Sequence, residues 1–236
     1  MMLLVMMAGL VDADAPRVRV FGVGFKKTGT TSFSHACTML SLREVGLSTK
    51  ARLLMLEAAV VGRRRPDSDR FFDVVDQFEC FQDSPFTNAA LVPVLAERYA
   101  AAKFVLTVRN ATAWVGSALR WIDHKRPENP NYGARFWVAL GRRDATPPTH
   151  REAEALIRSH DADVRNYFAS RNESARLLEV DFSAEVDASA FWTRLCAFVG
   201  LAGTICPCPP VPRANANGAA ARDEFGQPLA RRRRRP

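Results

Sequence analysis

Two hydrophobic rhythms take turns along the chain. Residues 17–22, RVRVFG, form a short β-branched and aromatic run between Pro16 and Gly22, which predicts a strand. After a glycine-rich loop, residues 31–42 carry apolar side chains at Phe33, Ala36, Cys37 and Leu40, near helical spacing. Further helices are predicted over 51–61 and over 87–99, where Leu91, Leu95 and Tyr99 share a face. Pro93 falls within the first turns of the latter, where proline is tolerated. Short buried strands are predicted at 71–75 and 78–81, on either side of Asp76. Residues 103–108, KFVLTV, are the most strand-like segment. Asn110 or Thr112 can cap the helix that follows, which carries Trp114, Ser117, Ala118 and Trp121. Residues 123–150 are rich in Pro, Asn, Arg and Gly, with aromatics at Tyr132, Phe136 and Trp137, and read as a long loop or small helical excursion. An amphipathic helix over 150–170, a strand over 176–180 and a helix over 188–199 complete the pattern.

Strands that alternate with helices imply an α/β fold, a mainly parallel sheet with helices on both faces. In such folds ligands gather at the C-terminal ends of strands. The informative loops are therefore those after Val20, Phe81 and Val108.

Composition adds little to this and removes some alternatives. The 236 residues are 47% hydrophobic and 25% charged, enough for one large domain with a core. The formal charge is +8, but Arg231–Arg235 supply five of it and leave +3 elsewhere. A like-charge run of that kind reads as a solvated, disordered tail, not as a specific nucleic-acid arm. The expected organisation is an apolar extension at 1–16, an α/β domain at 17–215 and a disordered tail at 216–236. The apolar run at the N-terminus spans eleven residues, short of the roughly 20 a membrane helix needs. Ala13-Asp14-Ala15 resembles a signal cleavage site, but there is no basic n-region, so the expected location is cytoplasmic, with the secretory route as the alternative. The five cysteines are odd in number and lack paired spacing, which argues against a disulfide framework. Cys37, Cys80 and Cys196 lie in apolar runs and read as small core residues. Cys206-Pro207-Cys208 lacks the partners a zinc site needs.

The loop FGVGFKKTGTTS, residues 21–32, carries the first chemistry. Backbone N–H groups of such a loop and of the following helix start make an anion site. Thr30, Thr31 and Ser32 add hydroxyl donors, and Lys27 adds a positive charge. A nucleotide phosphate loop reads G-x-x-x-x-G-K-[ST]. Here Gly24 and Gly29 keep the glycine spacing, but Thr30 stands where that lysine belongs, and Lys27 lies two residues before Gly29. No strand ends in a convincing metal-binding aspartate; KFVLTVRN ends in Arg109, and Asp73 and Asp76 are weaker candidates. Arg109, with Ser117 eight residues on, can converge on a second phosphate. Asp83, in FQDSPF, is a general-base candidate, or a turn or N-cap aspartate. His150 and His160 read as residues of a solvated helix face or start, and Tyr132, Phe136 and Trp137 as core or acceptor-pocket residues.

KKTGTTS (26–32) together with FVLTVRNATAWVGS (104–117) resembles the PAPS-dependent sulfotransferase family, a P-loop-type superfamily with a three-layer sandwich. The likeness continues through DSPF (83–86), HDADVRNYF (160–168), ARLLEVDF (175–182) and FWTRLCAFVGL (191–201), over roughly 17–215. It implies 3′-phosphoadenosine 5′-phosphosulfate (PAPS) as donor, with no metal required. The acceptor is then a small molecule or glycan bearing a hydroxyl or amine, not a specific nucleic acid. The resemblance assigns Lys27 to charge on the oxygen between sulfate and phosphate. It assigns Lys27, Thr28, Gly29, Thr30, Thr31 and Ser32 to the 5′-phosphosulfate, and Arg109 and Ser117 to the 3′-phosphate. Asp83 occupies a place comparable to the catalytic histidine of cytosolic members, so Lys27 and Asp83 form the implied catalytic pair. Arg213-Ala214-Asn215 corresponds to the family's basic loop over the donor, and 123–150 has no counterpart. Two readings stand beside this one: a P-loop nucleotide kinase or NTPase, and a non-catalytic nucleotide-binding protein of the same fold.

Overall fold

The computed structural model describes residues 18–62, 67–142, 146–184 and 187–200. Four parallel strands form one sheet in the order β2-β1-β3-β4, where β1 is Val20–Gly22, β2 Cys80–Phe81, β3 Lys103–Thr107 and β4 Leu177–Val180. Val20 and Phe21 pair with Cys80 and Phe81 on one side and with Lys103 and Phe104 on the other. Phe104 to Thr107 then pair with Leu177 to Val180. Among the described residues eight α-helices connect and flank the strands: α1 Thr30–Met39, α2 Leu47–Val61, α3 Asp67–Val75, α4 Leu91–Arg98, α5 Ala111–Lys125, α6 Tyr132–Ala139, α7 His150–Ser170 and α8 Ala188–Phe198.

Strand alternation sorts the core into two faces. Phe21, Phe81, Phe104 and Leu106 point to one side, where they pack with Leu53, Phe71, Leu95 and Phe168 from α2, α3, α4 and α7. Phe21 is the hub there, with its ring 4.6 Å from Phe81 and 5.4 Å from Phe104. Val20, Cys80, Val105 and Val180 point to the other side, against Phe33 and Cys37 of α1 and Phe191, Trp192 and Leu195 of α8. The expected three-layer α/β sandwich is thus the observed one. A third cluster joins Phe25 of the loop after β1 to Trp114, Phe136, Trp137 and Ile157 of α5, α6 and α7.

Three expectations need correction. Residues 71–75 are helical, the end of α3, and not a strand. Phe71, Val74 and Val75 are buried at spacings i, i+3 and i+4, a helical face in a short segment whose polar residue, Asp73, is exposed. The strand expected over 78–81 shrinks to Cys80–Phe81. Cys37 and Cys80 are joined by a disulfide that ties α1 to β2, and Cys196 is disulfide-bonded as well. The cysteine count did not reveal this, because the bond depends on β2 lying beside β1.

The described residues of the segment 123–150 include the end of α5, the helix α6 and a start of α7 closed by a capping box between Thr149 and Glu152. Asn110, not Thr112, caps α5 by accepting from the Ala113 amide, while Thr112 donates to Glu154. Among the described residues no helix is long and apolar enough to cross a membrane. Residues 1–16, Arg213-Ala214-Asn215 and the tail at 216–236 lie outside the described residues.

Candidate functional site

The loop from Val23 to Gly29 is shaped by two close approaches. A Cβ on Gly24 would stand 2.1 Å from Thr107 Oγ1 and 2.3 Å from the Thr107 carbonyl oxygen, so only glycine lets the loop lie on the end of β3. Gly29 has φ +122° and faces Phe182 at 2.9 Å from its would-be Cβ. Between them Thr28, 3% exposed, donates its hydroxyl to the Phe25 carbonyl at 2.5 Å and shares a 2.6 Å hydrogen bond with Thr107 Oγ1. Its amide also bonds the Phe25 carbonyl. The Thr28 side chain therefore braces the loop from within. Gly29 opens α1, and no side chain caps that helix start. Thr30 and Ser32 are buried in its first turn and Thr31 is half-buried.

The loop is gripped from outside by α5 and the end of β3. Trp114 Nε1–H donates to the Lys26 carbonyl at 2.7 Å, and Arg109 Nη1–H donates to the Lys27 carbonyl at 3.2 Å. Lys27 itself has φ 71°, outside the region that L-residues prefer. Its Nζ lies 4.1 Å from the centre of the Trp121 ring. Burial lowers the Lys27 pKa to about 8; Asp83 opposes that shift, while Arg109, Arg120 and Lys125 add to it. Lys27, Asp83 and Arg109 therefore share one electrostatic neighbourhood, with Asp83 as its carboxylate.

Asp83 sits two residues beyond β2, also with positive φ, at 63°. Its Oδ1 accepts from the Ser84 amide at 2.7 Å and stands 3.4 Å from Lys26 Nζ. Its carbonyl accepts from the Phe86 amide. Asp83 is thus a turn aspartate and also a site carboxylate; 38% of its side chain stays open to solvent. Beside it, Glu44 gathers Ser34 of α1, Gln82 and Lys50, which ties the start of the neighbouring elements together.

Ser117 is half-buried on α5, three residues after Trp114 and four before Trp121. Positions three and four apart share a helix face. Ser117 therefore belongs to the stripe whose two flanking tryptophans touch the loop. Asp76, one of the weaker metal candidates, is instead paired with Arg19 at 2.8 Å, before β1 and away from the loop. His150 is exposed at the start of α7, as expected. His160 is not on a solvated face: it is 5% exposed, packed at 4.0 Å against Phe25 beneath the loop, and its Nδ1 lies 3.2 Å from Asp161 Oδ1. The aromatic trio of 123–150 divides. Phe136 and Trp137 are core, while Tyr132 is half-buried and accepts a hydrogen bond from Trp121.

The site has the features of an anion cradle: a glycine loop, an uncapped helix start and five cations, Lys26, Lys27, Arg109, Arg120 and Lys125, around one aspartate. Arg109 also keeps a buried Nε–H without a hydrogen-bond partner. That unsatisfied donor suits an anionic guest, since buried donors are normally paired. Sequence reasoning missed Trp114, Trp121, Arg120 and Lys125 as parts of this site; a seven-residue spacing of the tryptophans was the available signal. No curated protein matches the chain. The sulfotransferase domain family matches residues 19–220, most of the chain and all of the site. The chain belongs to the sulfotransferase domain family.

Proposed function

We propose that the protein transfers a sulfuryl group from PAPS to the hydroxyl or amine of a small-molecule or glycan acceptor. The observation that carries this reading is the meeting of Lys27 and Asp83, from the ends of β1 and β2, in a cationic cradle floored by the glycine loop. Bound PAPS supplies the sulfuryl group. Asp83 takes the acceptor proton as the acceptor oxygen or nitrogen bonds to sulfur. The bond between sulfur and the bridging oxygen breaks, and its electron pair stays on the 5′-phosphate. Lys27 and the amides of Gly29, Thr30, Thr31 and Ser32 stabilise that charge. Preorganised donors of this kind supply a large share of many enzymes' rate enhancement. Arg109 and Ser117 hold the 3′-phosphate, and Thr28 keeps the loop in shape. No step calls for a metal.

The test is transfer of labelled sulfate from PAPS across an acceptor panel, beside thermal-shift titrations with 3′-phosphoadenosine 5′-phosphate and with Mg-ATP. The expected result is stabilisation by the bisphosphate, with turnover that Lys27→Ala abolishes. Stabilisation by Mg-ATP alone would point to a nucleotide kinase or NTPase. Binding of the bisphosphate with no turnover on any acceptor would leave a nucleotide-binding protein.

A further inference from the structure

We infer that Trp121 is a positioning residue for Lys27, a ring platform locked in place by Tyr132. The inference deepens the proposed function by giving a role to the segment that follows α5. Lys27 is the loop's reactive cation, yet its ammonium is held by an indole and not by a carboxylate. Nζ lies 4.1 Å from the Trp121 ring centre, within the range of a cation–π contact. Lys26, one residue earlier, takes the Asp83 carboxylate instead, at 3.4 Å. The two lysines are thereby kept apart in function: Lys26 pairs with the aspartate, and Lys27 rests on a surface that accepts no proton.

The platform has its own support. Trp121 Nε1–H donates to the Tyr132 hydroxyl at 2.9 Å. Tyr132 is the first residue of α6 and packs against Phe136, which is buried against Trp137. Trp114 and Trp121 are two turns apart on one face of α5. Trp114 grips the backbone of Lys26, and Trp121 grips the side chain of Lys27. The helix acts as a splint along the loop, and α6 fixes its far end. The charged groups that face Lys27 are Asp83 after β2, Arg109 after β3, and Arg120 and Lys125 on α5. Three of these four are cations that repel its proton. Asp83 offsets part of that repulsion, and the ring, which also has Lys125 Nζ at 5.0 Å, adds an attraction closest to Lys27 without the competing hydrogen bond a carboxylate would make.

The experiment reads Lys27 directly and turnover separately. Trace acetylation across a pH series, followed by mass spectrometry of the Lys27 peptide, gives the amine's titration in the free protein. Trp121→Leu keeps an apolar cover but removes the ring, and is expected to move that titration downward by about half a unit to one unit, the size of a cation–π contribution converted to pKa. Trp121→Phe, which restores a ring without the Nε1–H anchor, is expected to recover part of the shift. Tyr132→Phe, the mildest variant, removes only the hydroxyl and is expected to loosen the ring and move the titration in the same direction by less. In the transfer assay kcat falls about tenfold in Trp121→Leu, with the donor KM nearly unchanged. An unmoved Lys27 titration in both Trp121→Leu and Tyr132→Phe, each folded by circular dichroism, would overturn the proposal. A moved titration in a protein that never turns over PAPS would support the platform and count against the proposed reaction instead.

Discussion

Lys26 Nζ stands 3.4 Å from Asp83 Oδ1, so the loop after β1 and the turn after β2 are joined by an ion pair across the mouth of the cradle. The pair is partly open to water, and exposed pairs contribute little stability, about 0–1 kcal/mol. Its consequence is positional. It aims the carboxylate at the loop, while the Ser84 amide holds the same oxygen from behind at 2.7 Å.

Asp83→Asn tests the base. Asparagine is isosteric and still accepts from the Ser84 amide, so the turn survives. A general base typically contributes about 10²–10⁴-fold to rate. The expected outcome is a kcat loss of that order, with the affinity for 3′-phosphoadenosine 5′-phosphate kept within a few-fold by calorimetry. Turnover near the wild-type level would assign the proton to another group.

The pH dependence follows from Lys27. Its pKa in the free protein is lowered to about 8, chiefly by burial. The proposed transfer uses the protonated form, so its activity is expected below that pH and its loss above it. The kcat/KM for the donor should fall about tenfold per pH unit above roughly 8, since kcat/KM reports free-enzyme groups. The kcat profile should bend at a higher pH, because a bound anionic donor favours the charged lysine. Identical limbs in the two profiles would argue that Lys27 does not touch the donor.

Gly24→Ala tests the loop's seat on β3. The new methyl would fall 2.1 Å from Thr107 Oγ1 and 2.3 Å from a backbone oxygen, and backbone cannot step aside cheaply. Overpacking of this kind costs about 1–3 kcal/mol or more. The variant should melt at lower temperature, and the bisphosphate should no longer raise its melting point. Gly46→Ala is the control, since nothing lies within 4 Å of its would-be Cβ.

Arg109→Lys separates charge from geometry. The guanidinium spans the Lys27 carbonyl at 3.2 Å and leaves its Nε–H unsatisfied, and a lysine cannot do both. Bisphosphate affinity should fall about tenfold or more, with charge-assisted hydrogen bonds contributing about 1.5–3 kcal/mol each. Unchanged affinity by calorimetry would remove Arg109 from the nucleotide site.

What the sequence disclosed was set by how local each signal is. The order of strands and helices follows from alternation within single segments, and the loop lysine from its offset to Gly29. Phe71–Val75 failed because five residues, four apolar ones around Asp73, are too few to fix a period, and only their burial at 71, 74 and 75 separates helix from strand. The grip of Trp114 and Trp121 on the loop depends on how α5 lies against β1, which no window on the chain contains. His160 looked solvated for the same reason, because Phe25, which covers it, is 135 residues away in sequence.

The disulfide between Cys37 and Cys80 closes 43 residues of chain and joins α1, the helix after the glycine loop, to the strand that leads to Asp83. In the chain-entropy view a loop of that length is stabilised by about 2–4 kcal/mol. For a protein of this size that is worth roughly 5–15 °C in Tm. The double variant Cys37→Ala with Cys80→Ala should melt that much lower by calorimetry, with the proposed donor site weakened alongside, since α1 starts at Thr30, directly after Gly29 of the loop. The same bond sets an expectation about where the protein folds. Disulfides persist in oxidising compartments and are rare in the cytosol. Peptide mapping of protein from its native source, with free thiols blocked before lysis, should find Cys37 and Cys80 linked, favouring the secretory route over the cytoplasm. Both thiols alkylated in that material, with full activity, would return the pair to two buried core cysteines.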